Sequence, residues 1–205
     1  MKLLIASTNR HKVKEIGQLL AELPIALVSL SEFPHVTEVE EDGETFRENA
    51  IKKATSYAQQ TGYFTLAEDS GLTVDALSGA PGIYSARYAG VHKSDLENCD
   101  KLLKALKEIP HDKRSAQFRC AAVLSDSSGV VLEVVEDKVD GLIYHQMSGL
   151  GGFGYDPLFF YPQFGKTFGE ITSELKHSVS HRGKVLRKLK EILKKRMVEF
   201  SKSGG

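Results

Sequence analysis

Lys2-Leu3-Leu4-Ile5-Ala6-Ser7-Thr8-Asn9-Arg10-His11-Lys12 passes from an apolar run directly into a polar turn. Residues 2–6 predict a short buried strand. Val13, Ile16, Leu19 and Leu20 then recur on one helical face, which predicts a helix over residues 9–20. A second strand is expected over residues 25–30. Residues 31–43 are polar and acidic and read as a loop. Thr45 and Glu48 are spaced as a capping box, and Phe46, Ala50, Ala54, Tyr57 and Ala58 follow helical spacing up to Gly62. A third strand is expected over residues 64–67, halted by Glu68-Asp69-Ser70-Gly71 and continued over 73–77. Residues 78–90 read as irregular and 96–106 as helix. Residues 115–124 and 130–139 form a hairpin around Ser125-Asp126-Ser127-Ser128-Gly129. A last helix starts near Ser180, with Val185, Leu189, Ile192 and Leu193 as its stripe. This order predicts a mixed α/β fold, a sheet with flanking helices.

The bulk composition narrows the partners. Lys and Arg total 27, equal to Asp and Glu, so no overall field draws the chain to nucleic acid or membrane. Any basic site must be local. The apolar run near the N-terminus is too short for a signal peptide or a membrane span, so a soluble cytoplasmic protein is expected. Cys99 and Cys120 are far apart and lack metal spacing; they read as buried reduced thiols. With 205 residues the chain forms one domain or two lobes. Residues 201–205 are expected to fray.

Four segments carry chemistry. Ser7 to Lys12 joins a strand to a helix, where amides and the helix dipole hold phosphate. Arg10, His11 and Lys12 oppose that dipole unless an anion sits among them. The other reading is that they point to solvent. No GxxxxGK[ST] pattern is present, so this is not a Walker loop. Glu68 and Asp69 end an apolar strand. Alternation turns them to opposite faces, so they do not form an acid pair. Glu40 offers a second carboxylate for a magnesium ion, which takes carboxylate, water and phosphate oxygens; a solvated acidic turn is the alternative. Gly151-Gly152-Phe153-Gly154-Tyr155-Asp156-Pro157 presents an aromatic on a flexible loop, able to stack on a base or to fill the core. Ser180-His181-Arg182 places two further cations at a helix start, suited to phosphate or a base carbonyl.

With Ala80-Pro81-Gly82-Ile83-Tyr84-Ser85-Ala86-Arg87 added, five motifs stand in one order, and the chain resembles the inosine triphosphate pyrophosphatase family from Lys2 to about Leu193. Glu68 stands where many relatives carry Asp. The resemblance implies an elongated α/β fold of two lobes around a central cleft, often a homodimer. It implies magnesium-dependent hydrolysis of inosine, deoxyinosine and xanthosine triphosphates to monophosphate and pyrophosphate. That activity would keep such nucleotides out of DNA and RNA.

Carried over by position, the resemblance puts the substrate-binding turn on Ser7, Thr8, Asn9, Arg10, His11 and Lys12, with Lys12 on the phosphates. Asp69 becomes the catalytic acid residue and a metal ligand, beside Ser70 on the substrate. Glu40 is the matching metal position, with Glu41 as the alternative register. Phe153, Gly154, Tyr155 and Asp156 embrace base and sugar, Lys176 contacts phosphate, and His181 and Arg182 read the base. A pyrophosphatase for modified pyrimidines or 7-methylguanosine triphosphate would need a different base loop. A silent nucleotide sensor would lack Asp69 or Lys12. A nucleic-acid module would need a basic stripe.

Overall fold

The structure, a computed structural model, describes residues 2–90 and 94–203, with side chains through residue 196. Its strands are β1 (Lys2–Ile5), β2 (Ala26–Ser29), β3 (Phe64–Val74), β4 (Ser115–Ser125), β5 (Val131–Ile143), β6 (Phe159–Tyr161) and β7 (Lys166–Thr167). Its helices are α1 (Arg10–Leu20), α2 (Phe46–Thr61), α3 (Asp95–Ala105), α4 (Ser173–Val179) and α5 (His181–Ser203). The strands form one sheet in the order β2-β1-β3-β4-β5-β6-β7. β1 is parallel to β2 and β3, whereas β6 is antiparallel to β5 and β7. The mixed α/β class expected from the sequence is therefore the one observed.

The chain divides into two compact units. The first holds Met1–Asp69, Ala121–Glu136 and Gly183–Gly205; the second holds Ser70–Cys120 and Asp137–Arg182. The first unit's core sets Leu4, Ala67, Ala121 and Val123 from the strands, with Ala6 just past β1, against Ala50, Ala54 and Tyr57 of α2. Alanines fully buried at 50 and 54 let α2 lie close to the sheet. The second unit's core is built on rings. Phe118 lies 4.6 Å from Phe159, and Phe159 lies 4.9 Å from Phe168, with Leu72, Leu102, Leu106 and Leu158 around them. Offset rings at such distances add to their area burial.

Three local expectations change. β3 does not stop at Glu68 but runs unbroken to Val74, so Glu68-Asp69-Ser70-Gly71 is strand and not turn. The sheet flanks β3 on both sides, and Glu68, Asp69, Leu72 and Val74 are all buried, so ladder bonding and burial outweigh the turn propensity of Asp-Ser-Gly. The capping box at α2 is only half made. Thr45 Oγ1 accepts the Glu48 N–H at 3.1 Å, but Glu48 answers the N–H of Glu44 and not that of Thr45. α5 continues as helix to Ser203, into the segment expected to fray; 204 and 205 lie outside the described residues.

The predicted hairpin forms between β4 and β5. Asp126 Oδ1 accepts the N–H groups of Ser128 and Val130, and Gly129 sits at a φ of 91°. Both cysteines are buried thiols. Among the described residues, no helix is long and apolar enough to cross a membrane.

Candidate active site

The middle of β3 and one face of α2 place a charged cluster in the first unit. Asp69 is buried, with Oδ2 accepting from Asn49 Nδ2 at 3.3 Å and Oδ1 lying 3.4 Å from Lys53 Nζ. Asn49 and Lys53 are four residues apart on α2 and so share a face. Lys53 Nζ also pairs with Glu41 Oε1 at 3.2 Å. Glu68, the next carboxylate along β3, is buried against Lys12 Nζ at 2.9 Å. The two carboxylates thus take different partners, as strand alternation requires.

Burial pushes the Asp69 carboxyl above its ordinary value, against the opposing pull of Lys53, Lys12 and Asn49, with Glu41 adding to the rise. A carboxylate raised in this way is a stronger base than a solvated one. Three carboxylates (Glu41, Glu68 and Asp69) share two lysines in this cluster. The donors are hard oxygens carrying surplus negative charge, which fits a hard divalent cation. Among the described residues no group of three or more His, Cys, Asp or Glu side chains forms a metal cage. A cation held by one or two carboxylates and completed by substrate phosphates needs none.

The turn before α1 is organised as a cap. Asn9 Oδ1 accepts the N–H groups of His11 and Lys12 at 3.0 and 3.2 Å, and Ser7 Oγ accepts the N–H of Asn9 at 3.2 Å. Asn9 thus occupies amides that the sequence reading assigned to phosphate. Thr8, Arg10 and His11 are exposed, and Lys12 turns inward to Glu68.

Glu40 is exposed, whereas Glu41 is the acidic-loop residue that reaches Lys53. The register that brings a second carboxylate toward Asp69 is therefore that of Glu41. Sequence reading missed Asn49 and Lys53. Their signal was an amide and an ammonium at helical spacing beside Ala50 and Ala54, on the face that packs inward.

The second unit carries an aromatic and basic cluster. Phe153 sits on the glycine-rich loop with Lys176 Nζ 4.7 Å and the Arg182 guanidinium 5.4 Å from its ring centroid. Lys176 Nζ donates to Asp156 Oδ2 at 2.6 Å, and the same oxygen accepts the Phe153 N–H at 2.8 Å. Gly152 is obligatory here, because a Cβ would meet Asp156 Oδ2 at 2.0 Å and its φ is 74°. Arg182 is only 2% exposed, and its Nη2 donates to Ser70 Oγ at 3.0 Å. His181 is buried and stacks on Phe118 at 4.8 Å.

Two residues expected to embrace the base turn inward. The Tyr155 hydroxyl donates to Ser85 O at 2.8 Å, and burial raises its phenol well above the usual range. Asp156 is buried under Lys176. Lys176, expected on phosphate, is engaged with Asp156 and Phe153. These three residues hold the loop that presents Phe153.

The chain matches the Ham1 family over residues 3–192. It is 51% identical over 193 residues to a dITP/XTP pyrophosphatase of Desulforamulus reducens, covering 94% of this chain and 96% of that protein. It is 48% identical over 199 residues to a protein of the same description from Clostridium perfringens, covering 94% and 97%. Among solved structures, a HAM1 protein from Coxiella burnetii superposes with a TM-score of 0.87 at 40% identity, covering 95% of this chain and 99% of that one. The resemblance drawn from the five motifs is borne out.

Proposed function

The chain belongs to the Ham1 family, and on that premise we propose that it hydrolyses non-standard purine nucleoside triphosphates to the monophosphate and pyrophosphate. The substrates are inosine, deoxyinosine and xanthosine triphosphates. The observation that carries this reading is Asp69, a buried carboxyl with raised proton affinity, held by Asn49 and Lys53 beside Glu41.

In the proposed reaction Asp69 accepts a proton from water as the water oxygen bonds the α-phosphorus. The bond from that phosphorus to the α,β-bridging oxygen breaks, and pyrophosphate leaves with the electron pair. Lys12 and Lys53 neutralise charge that grows on the departing phosphates. Asn49 fixes the Asp69 carboxylate so that the proton-accepting oxygen keeps one orientation. A bound magnesium ion, held by Asp69 and Glu41, would polarise the phosphoryl oxygens and stabilise the leaving group. No covalent nucleophile is required, and neither cysteine serves as one.

Phe153 supplies a stacking face for the base. Arg182, which bears only donors, suits the carbonyl at purine position 6 and not the amine of adenine. We further propose that the chain acts as one catalytic domain, as a homodimer in the cytoplasm.

The decisive assay follows inosine triphosphate with magnesium and separates phosphate from pyrophosphate. Pyrophosphate release is expected, together with a loss of roughly 10²–10⁴-fold in kcat in Asp69→Asn. Release of single phosphates, or an Asp69→Asn variant with wild-type kcat, would reject the proposal.

A further inference from the structure

Gly154 is held by one helix at both of its polar groups. Its N–H donates to Asp95 Oδ2 at 2.7 Å, and its carbonyl accepts the Cys99 thiol at 3.4 Å. Asp95 and Cys99 lie four residues apart, one turn of α3, so both meet the loop from the same helix face. Gly154 has a φ of 59°, the left-handed conformation in which a loop depends on glycine and on outside contacts.

These contacts flank the stacking residue. The peptide before Phe153 is fixed by its N–H bond to Asp156, and the peptide after it by the bond to Asp95. Both backbone torsions of Phe153 are thereby set. Its ring is left against Lys176 and Arg182. The bond from an amide to an ionised carboxylate is the stronger of the two α3 contacts, and the thiol is the weaker donor. Burial, with Asp95, Asp100 and Asp156 nearby, pushes the Cys99 thiol up to about 12, so it keeps its proton and remains a donor at neutral pH.

We infer that Asp95 and Cys99 are positioning residues for the substrate base: through Gly154 they hold Phe153 in the orientation that stacks. Neither residue lies in the five motifs. The inference rests on the reading of Phe153 as the base-stacking residue. A preformed aromatic platform spares the ligand the cost of ordering the loop, so the clamp acts on affinity and not on the chemical step.

The test combines amide hydrogen exchange with a double-mutant cycle. Asp95→Ala is exposed and leaves the core intact. It is expected to speed exchange of the Gly154 amide and to raise KM for inosine triphosphate about tenfold, with kcat within about twofold. Asp95→Asn keeps an oxygen acceptor and restores most of the KM. Cys99→Ala gives a smaller rise. In a Phe153→Ala background, Asp95→Ala adds nothing to KM, because its route to the substrate is gone.

If Asp95→Ala raises KM equally in both backgrounds, the clamp does not act through Phe153 and the inference fails. If Phe153→Ala raises KM while Asp95→Ala leaves both KM and Gly154 exchange at wild-type values, the inference fails although the stacking reading survives. If Phe153→Ala leaves KM unchanged, the stacking reading itself fails and the inference falls with it.

Discussion

At the scale of single residues, chemistry follows from which side chains are buried with which partners. Asp69 is raised chiefly by burial and lowered by Lys53, Lys12 and Asn49. A general base works only when deprotonated, so activity is lost as pH falls through its raised value. The acid limb of the kcat/KM profile is therefore expected above the ordinary carboxylate range. Asn49→Ala removes a bond that favours the charged form and moves that limb further up. A limb that stays put or moves down would show that Asp69 does not govern it. Arg182 argues in the same way from donors alone. It is buried, its Nη2 donates to Ser70 Oγ, and it has only donors, so under the proposed function it would reject a group that also donates. Wild type is expected to prefer inosine over adenosine triphosphate strongly, by up to roughly 10⁴-fold, and Arg182→Ala to lose much of that preference. Steady-state kcat/KM for both nucleotides reads the ratio, and a ratio unchanged by the mutation removes Arg182 as the reader.

At the scale of elements, the hairpin was legible, whereas the continuity of β3 and the helix α4 were not. The hairpin was announced by Asp126 and Gly129, because an Asp side chain that closes its own turn and a glycine at positive φ are local devices. Gly129 also lies against α2, where a Cβ would meet Gln59 at 2.8 Å and Thr55 O at 3.0 Å. Gly129→Ala should therefore destabilise the chain by about 1–3 kcal/mol, through backbone strain and crowding together. A urea-unfolding midpoint indistinguishable from wild type would contradict this. The continuity of β3 was not legible. Asp-Ser-Gly favours a turn in isolation, and only pairing within the sheet keeps it extended. The short helix α4 was missed too. Its seven residues hold a single fully inward side chain, Lys176, so it carries no apolar stripe.

At the scale of the whole molecule, ligand binding and folding are linked. A triphosphate that binds only the folded chain stabilises it by about 2.7 kcal/mol at one hundred times its Kd. A non-hydrolysable inosine triphosphate analogue with magnesium should thus raise the melting temperature, and raise it less in Arg182→Ala at equal concentration. An equal rise in both proteins would show that Arg182 adds nothing to binding.

Periodicity, end signals and composition were enough for the α/β class, the hairpin and the helices with an apolar stripe, because each depends on residues near in sequence. Five ordered motifs were enough for the family. The partners of the charged groups were settled by folding. Glu41 and not Glu40 meets Lys53, Asn49 and Lys53 reach Asp69, and Asp95 and Cys99 grip Gly154. Residues 12 to 59 positions apart make these contacts. A register error of one position turns a side chain to the opposite face of a strand, and no local pattern reports it. Tyr155, Asp156 and Lys176 belong to the same lesson. Polar and aromatic side chains on a glycine-rich loop look alike in sequence, and burial alone separates those that hold the loop from the one it presents.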